Sequence, residues 1–523
     1  MLKEKILTGK TYLGIELGST RIKASLIDDG FVPVASGSFE WENQFEEGYW
    51  TYPLDSIHKG VQACFANLVE DVLNKYGLPL KKVGAIGVSA MMHGYLAFDK
   101  DDNLLTPFRT WRNTTTEEAA DILTDTFQFN IPQRWSIAHL YQAISDNEPH
   151  IYKIAHITTL AGYIHYLLTG RREVGIGDAS GIFPINDGDY DGSMLKKFDT
   201  LIEKWGFSWD IKELLPEVRK AGEKGAYLTE YGARLLDPTG CFEPGIAVCP
   251  PEGDAGTGMV ATNAVLPCTG NVSAGTSAFA MLVLEKPLKK LHRQIDIVTT
   301  PDGCDVAMVH CNNCCNELDI WVSIFGEFAE LMGNAMDKTR LYELLYHNAM
   351  TGSGDGNVAY NYLTGEHITE ISKGRPMYFR LPESNITLAD FMKVQLYSAV
   401  ATLTIGMDIL FNEECVRSHR FSAHGGLFKV KGVAQQILAN ALKTPVSVAE
   451  TAGEGGAWGM ALIAAYMMRE TDKSLGEWLA TEVFCNMKTT TLAPDYEQSR
   501  EFEEYMKRYR AGLEALMKLE EIV

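Results

Sequence analysis

Leu13-Gly14-Ile15-Glu16-Leu17-Gly18-Ser19-Thr20 is a short apolar run ending in a glycine–hydroxyl turn, and residues 22–28 read as the strand that returns from it. Half the chain later, Asn271-Val272-Ser273-Ala274-Gly275-Thr276-Ser277 repeats the pattern, and residues 278–284 continue as a strand. A strand–Gly-Ser/Thr–strand hairpin offers backbone amides and a hydroxyl to phosphate oxygens. Glycine permits the close backbone approach. One such turn is common. Two in corresponding places of two halves predict a pair of lobes that clamp a nucleotide.

Outward from these hairpins, strands alternate with helices, the pattern of an α/β layer fold. Residues 31–39 read as a third strand after an Asp29-Gly30 turn. Ile57, Val61, Phe65, Leu68 and Val72 carry helical spacing over residues 54–76, with Gly77 as the stop. Residues 83–90 form a buried strand, and residues 154–168 read as a helix ending at Thr169-Gly170. Thr387 and Asp390 make a capping box before a helix reaching about Asn412. Gly425-Gly426 and residues 453–459 are glycine-rich turns, while Trp458, Met460 and Leu462 read as core. From Pro494 onward, Tyr496, Phe502, Tyr505, Tyr509 and Leu513 give an amphipathic terminal helix. The repeat divides the chain into residues 1–263 and 264–523.

The 523 residues are 46% hydrophobic and 22% charged, which excludes a disordered or collagenous chain. A net charge of −21 argues against nucleic acid or an acidic membrane as partner, but not against a small phosphate ligand held by amides. The start MLKEKILTGK has no apolar signal core. No stretch approaches 18 uninterrupted apolar residues; residues 459–468 come nearest. Ten cysteines fit reduced, buried thiols and a cytoplasmic protein. His310, Cys311, Cys314 and Cys315 invite a zinc reading, but no second CxxC or His pair completes it. The chain has neither G-x-x-x-x-G-K-[ST] nor a strand–GxGxxG–helix unit.

Several further segments fall in an order that resembles one family. They are Ser89-Ala-Met-Met-His-Gly94, Trp111-Arg-Asn113, Tyr166-Leu-Leu-Thr-Gly170, Asp178-Ala-Ser180 and Pro251-Glu-Gly-Asp-Ala255. Tyr362-Leu-Thr-Gly-Glu366, Gly425-Gly426, Gln436-Ile-Leu-Ala-Asn440 and Glu454-Gly-Gly-Ala-Trp-Gly459 follow. With the two hairpins, these resemble the FGGY family of carbohydrate kinases, most closely its xylulokinase-like members. The resemblance runs from about Tyr12 to about Tyr509.

It implies two ribonuclease H-like α/β domains of the actin and sugar-kinase superfamily flanking a cleft. The first would be mainly sugar-binding and the second mainly ATP-binding. It implies ATP-dependent phosphorylation of a sugar hydroxyl, with ATP and Mg²⁺ as cofactors and a small sugar as partner; a homodimer is an open expectation. Asp254 becomes the expected general base. Met92, His93, Trp111, Asn113 and Asp254 become expected sugar contacts. Gly18, Ser19, Thr20, Gly275, Thr276, Ser277, Gly425 and Gly426 would hold the nucleotide, and Glu16 with Asp254 would hold Mg²⁺.

Three positions depart from the family pattern. Glu16 stands where Asp is usual, Ala255 where a polar sugar ligand is common, and residues 427–431 replace a small-residue loop. The acceptor therefore stays open between a ketopentose such as xylulose and another ketose, a deoxysugar or a polyol. A catalytically weak ATP-dependent binding or regulatory protein is the alternative from another class.

Overall fold

The computed structural model describes residues 2–384, 386–449 and 455–520. The chain forms two compact units. The first comprises Met1–Leu266, Asp296–Val306 and Glu454–Asn486; the second comprises Pro267–Ile295, Ala307–Gly453 and Met487–Val523. The long first segment ends at Leu266, and two later segments return to the first unit.

The first unit is built on a seven-stranded sheet. Its order is Ala226–Tyr227, Ala247–Val248, Ala85–Ala90, Thr11–Leu17, Arg21–Asp28, Pro33–Glu40, and Glu252–Gly253 also pairs with Ala85–Ala90. Thr11–Leu17 runs antiparallel to Arg21–Asp28 and parallel to Ala85–Ala90. Successive side chains on a strand point to opposite faces. Leu13, Ile15 and Leu17 join the core that includes Ile57, Val61, Phe65 and Leu68 of the helix Leu54–Tyr76. Each of these fully buried side chains contributes about 1.5–3 kcal/mol. Gly77 ends that helix in the left-handed conformation, as the sequence pattern predicts.

Gly14 faces the other way. A Cβ there would lie 2.0 Å from the Ala457 carbonyl, so glycine is what lets the helix Gly455–Met468 sit directly on the strand. That helix is apolar on all sides, and Trp458, Met460 and Leu462 are fully buried. This sandwiching draws a late segment of the chain back into the first unit. Gly453 and Glu454 of the expected glycine-rich turn lie outside the described residues, and the rest of it, residues 455–459, is not a turn but the start of this helix, where glycine allows the close approach to Glu16 and Thr257.

The second unit repeats the arrangement. Thr269–Ala274 runs antiparallel to Ala278–Val283 and parallel to Arg420–His424, and Val446–Ala449 and Thr489–Leu492 extend the sheet. Asp305–Cys311 flanks the hairpin on its other side. The helix Leu388–Asp408 opens on the expected Thr387/Asp390 capping box. Among the described residues one span, Leu388–Glu413, is long and apolar enough to cross a membrane, but 78% of its apolar window is buried inside the protein. It escaped the search for unbroken apolar runs because Asp390, Lys393, Gln395, Ser398, Thr402 and Thr404 interrupt it.

Two further sequence expectations shift. The helix expected over 154–168 is a strand, His156–Thr158, followed by a helix, Leu160–Thr169. Thr159 separates them because its hydroxyl accepts the Gly162 amide as an N-cap. The third strand begins at Pro33 rather than Phe31, whose φ of 66° belongs to the turn.

Candidate active site

Register brings the site together at the strand ends of the first unit. Glu16 lies level with Ser89 on the parallel neighbour, Ser89 lies level with Glu252, and Lys23 lies opposite Glu16 on the antiparallel neighbour. Ligand sites of open α/β sheets lie beyond such strand ends.

Asp254 is the first residue of the helix Asp254–Ala261, after the extended Gly253. Its Oδ1 accepts the Met92 amide at 3.1 Å. Burial pushes the carboxyl up to about 6, against the amides of Met92 and Ala255. The helix is fixed from behind by Thr257, whose hydroxyl lies 3.1 Å from that of Ser89. Glu16 is pushed up to about 7, first by burial and then by the Asp254 charge. Lys23 and the backbone amides of Ala457 and Gly456 oppose that shift. A Cβ at Gly456 would lie 2.2 Å from Glu16 Oε1, so glycine lets the helix end approach the carboxylate.

Two more carboxyls stand behind. Asp178, fully buried, accepts the Thr159 hydroxyl, and its amide donates to Glu252 Oε2 at 3.1 Å. Gly177 donates to Glu252 Oε1 at 3.3 Å. Burial pushes Asp178 up to about 7, with Asp254 adding to the shift, and raises Glu252 well above the usual carboxylate range. Sequence reading took Asp178 and Glu252 only as family landmarks, since their contact is tertiary.

Met92 and His93 adjoin Asp254. The Met92 side chain covers Gly253, and a Cβ on Gly181 would lie 2.5 Å from His93 Nδ1. His93 is buried, has a φ of 69° and stacks on Trp135 with centroids 6.2 Å apart. Trp111 is 37% exposed and donates Nε1–H to the Ser19 hydroxyl at 3.2 Å, linking this segment to the first hairpin. Asn113 is buried, and its amide is engaged elsewhere. Its Oδ1 accepts the Trp50 amide at 2.8 Å, and its Nδ2 donates to the Trp50 and Thr110 carbonyls.

At the first hairpin, the Gly18 carbonyl accepts Trp41 Nε1–H at 2.7 Å and the Ser19 carbonyl accepts the Tyr52 hydroxyl. Thr20 is exposed. In the second unit, the Gly275 and Thr276 carbonyls accept the Cys315 and Cys314 amides at 2.9 and 3.0 Å. The Gly275 amide donates across the turn to the Ser277 carbonyl. The cysteine segment thus supports the hairpin through its backbone. Among the described residues no three His, Cys, Asp or Glu side chains are grouped to hold a metal. Gly425 has a φ of 105°, and a Cβ there would lie 2.3 Å from the Ala274 carbonyl. Gly426 opens a short 3-10 turn, Gly426–Phe428, before the helix Val433–Leu442, and a Cβ on it would meet nothing within 4 Å.

Comparison with known proteins finds relatives over the whole length of the chain. A xylulose kinase of Haemophilus influenzae is 23% identical over 97% of this chain and 100% of its own length. The solved xylulose kinase of Lactobacillus acidophilus superposes with a TM-score of 0.78 at 16% identity, over 97% of this chain and 98% of that one. A gluconate kinase from the same organism reaches 0.78 at 17% identity, over 97% and 99%. The N-terminal domain model of the FGGY family of carbohydrate kinases matches residues 11–249, and its C-terminal domain model matches residues 270–468. With both domain models matched in sequence order, the chain belongs to the FGGY family of carbohydrate kinases and is an ATP-dependent sugar kinase.

Proposed function

We propose that this kinase transfers the γ-phosphoryl group of ATP to a hydroxyl of a ketopentose such as xylulose, with Asp254 as general base. The observation that carries the reading is the placement of Asp254. Its carboxylate is aimed by the Met92 amide, raised to about 6, and set beside the Met92-His93 segment. A base poised near working pH is the efficient choice for proton abstraction. The sugar oxygen forms its bond to the γ-phosphorus as the bond to the β-bridging oxygen breaks. The hydroxyl proton passes to Asp254, and ADP leaves.

His93 and Met92 would line the sugar, with Trp111 at the edge. Asn113 would serve this side indirectly, by fixing the loop that carries Trp111. Gly275, Thr276, Ser277, Gly425 and Gly426 would carry ATP on the second unit, and Gly18, Ser19 and Thr20 would receive the transferring group on the first. In each hairpin the glycine amide is spent on a carbonyl, Gly18 on Arg21 and Gly275 on Ser277, so the hydroxyls of Ser19, Thr20, Thr276 and Ser277 would meet a phosphate. Glu16 and Asp254 are neighbouring oxygen donors, both costly to ionise because they are buried and Glu16 further so beside the Asp254 charge, which suits a hard divalent cation. They would hold Mg²⁺, which when bound neutralises charge on the phosphates.

Xylulose is favoured by the full-length likeness to a xylulose kinase. A coupled ADP-release screen over ketopentoses, other ketoses, deoxysugars, polyols and aldonates tests it. The reading expects xylulose to give the highest kcat/KM. Turnover confined to another acceptor overturns the substrate, and ATP binding without sugar-dependent turnover overturns the enzyme in favour of a regulatory protein.

A further inference from the structure

The first unit holds a cavity of about 150 Å³ that takes no part in the site above, lined by Phe98, His156, Thr158, Tyr163 and Leu215 among others. The size matches a benzene ring, since an apolar cavity of about this volume binds benzene. Its wall is a slab of stacked rings. Phe98 lies face to face with His156 at 5.1 Å and 11°, and with Tyr163 at 5.4 Å and 17°. The antiparallel pairing of Leu96–Phe98 with His156–Thr158 sets this stack, and the helix Leu160–Thr169 backs it.

Polar groups cluster on the same cavity. Asp102 accepts the Tyr166 hydroxyl and an Arg172 Nη2–H, each at 2.6 Å. Glu213, exposed on the short helix Ile211–Leu214, adds a second carboxylate. His156 Nε2 lies 3.4 Å from Asp102 Oδ1. Its Nδ1 has no hydrogen-bond partner among the described residues, although His156 is about nine-tenths buried. Burial and then the Arg172 charge push this imidazole down to about 4, so it is neutral at pH 7. Two carboxylates against one guanidinium leave the lining net negative, in a protein whose own charge is −21. Aromatic faces with a negative surround favour an organic cation.

We propose that this cavity is a second ligand site, separate from the sugar and ATP sites, for a small arylalkylamine whose ring fills the aromatic slot and whose ammonium meets the carboxylates. The probes are benzylammonium and benzoate, equal in ring and opposite in charge, titrated by calorimetry into the full-length protein. The proposal expects one benzylammonium per chain, with benzoate at least about tenfold weaker, a difference of about 1.4 kcal/mol. Glu213→Lys, on an exposed position, should narrow or reverse that preference. Ala155→Phe, which places a ring in the cavity, should abolish binding of both. No binding at millimolar benzylammonium, equal affinity for the two ions, or unchanged preference in Glu213→Lys overturns the proposal. If Ala155→Phe does not fold, Glu213→Lys still decides it.

Discussion

The turn at Gly18-Ser19 and the turn at Gly275-Thr276 both have their carbonyls tied from behind, but the donors differ. In the first unit they are aromatic side chains, the Trp41 indole and the Tyr52 hydroxyl. In the second they are consecutive backbone amides, those of Cys314 and Cys315. The surroundings differ as well. The first hairpin rises from a strand carrying Glu16 opposite Lys23, whereas the matching strands of the second, TGNVSA and AFAMLV, carry no charge. The same backbone shape therefore stands in two settings: one hairpin rises beside buried charges, and the other offers little beyond its backbone and hydroxyls.

The largest test of that asymmetry is Asp254→Asn. Asn keeps the size and the Met92 contact but takes no proton, so kcat should fall by roughly 10²–10⁴ while melting temperature and ATP affinity hold. Near-normal sugar-dependent ADP release would remove the base from the first unit and shift suspicion to Glu16.

The pH profile comes next. Asp254, raised to about 6, must be ionised to act, so kcat/KM should fall about tenfold per unit as pH drops below that value. Stability of the metal-free protein should run the other way. A carboxyl whose folded pKa is raised binds more protons folded than unfolded. Glu16, at about 7, thus costs stability as pH rises from its ordinary value near 4.5 toward 7. Melting curves across that range in Glu16→Gln and the parent would expose the difference, and parallel curves would contradict the shift.

On the second unit, backbone dominates, so adding a Cβ should matter more than removing a functional group. Gly275→Val and Gly426→Val place their Cβ in open space, so both should fold and weaken ATP binding about tenfold in calorimetry. Gly425→Val differs from them: its Cβ would strike the Ala274 carbonyl, and melting temperature should drop first. Normal ATP binding in folded Gly275→Val and Gly426→Val would detach the nucleotide from this unit.

Smaller effects belong to single hydrogen bonds. His93→Ala should raise the sugar KM several-fold with little change in the ATP KM, the loss of one contact worth about 0.5–1.5 kcal/mol. Equal shifts in both constants would take His93 out of the sugar site. Trp41→Phe should give the least, about a twofold rise in the ATP KM, because Tyr52 still ties the neighbouring carbonyl.

Local chemistry was the legible part. The helix Leu54–Tyr76 with its Gly77 stop, the Thr387/Asp390 box and both hairpins follow from spacing and caps alone. What spacing could not reveal was tertiary. Asn113 sits in a family segment, yet its amide is spent on the backbone of Trp50, 63 residues away. Asp178 and Glu252 meet only because the short buried helix Ile176–Ala179 turns its amides onto a strand end. The helix Gly455–Met468 gave no directional signal, since a helix apolar all round does not say which sheet it covers.

That helix has a consequence for how the protein is made. Its residues lie within the C-terminal family domain by sequence, yet they cover Gly14 and supply the amides that hold Glu16. During synthesis the first sheet emerges long before its cover, and until residue 468 leaves the ribosome one face of its central strand has nothing to rest on. The N-terminal half should then be a poor autonomous folder, slow to acquire protease resistance and in need of chaperone shielding, and a break placed at the family boundary would separate a sheet from its own lid.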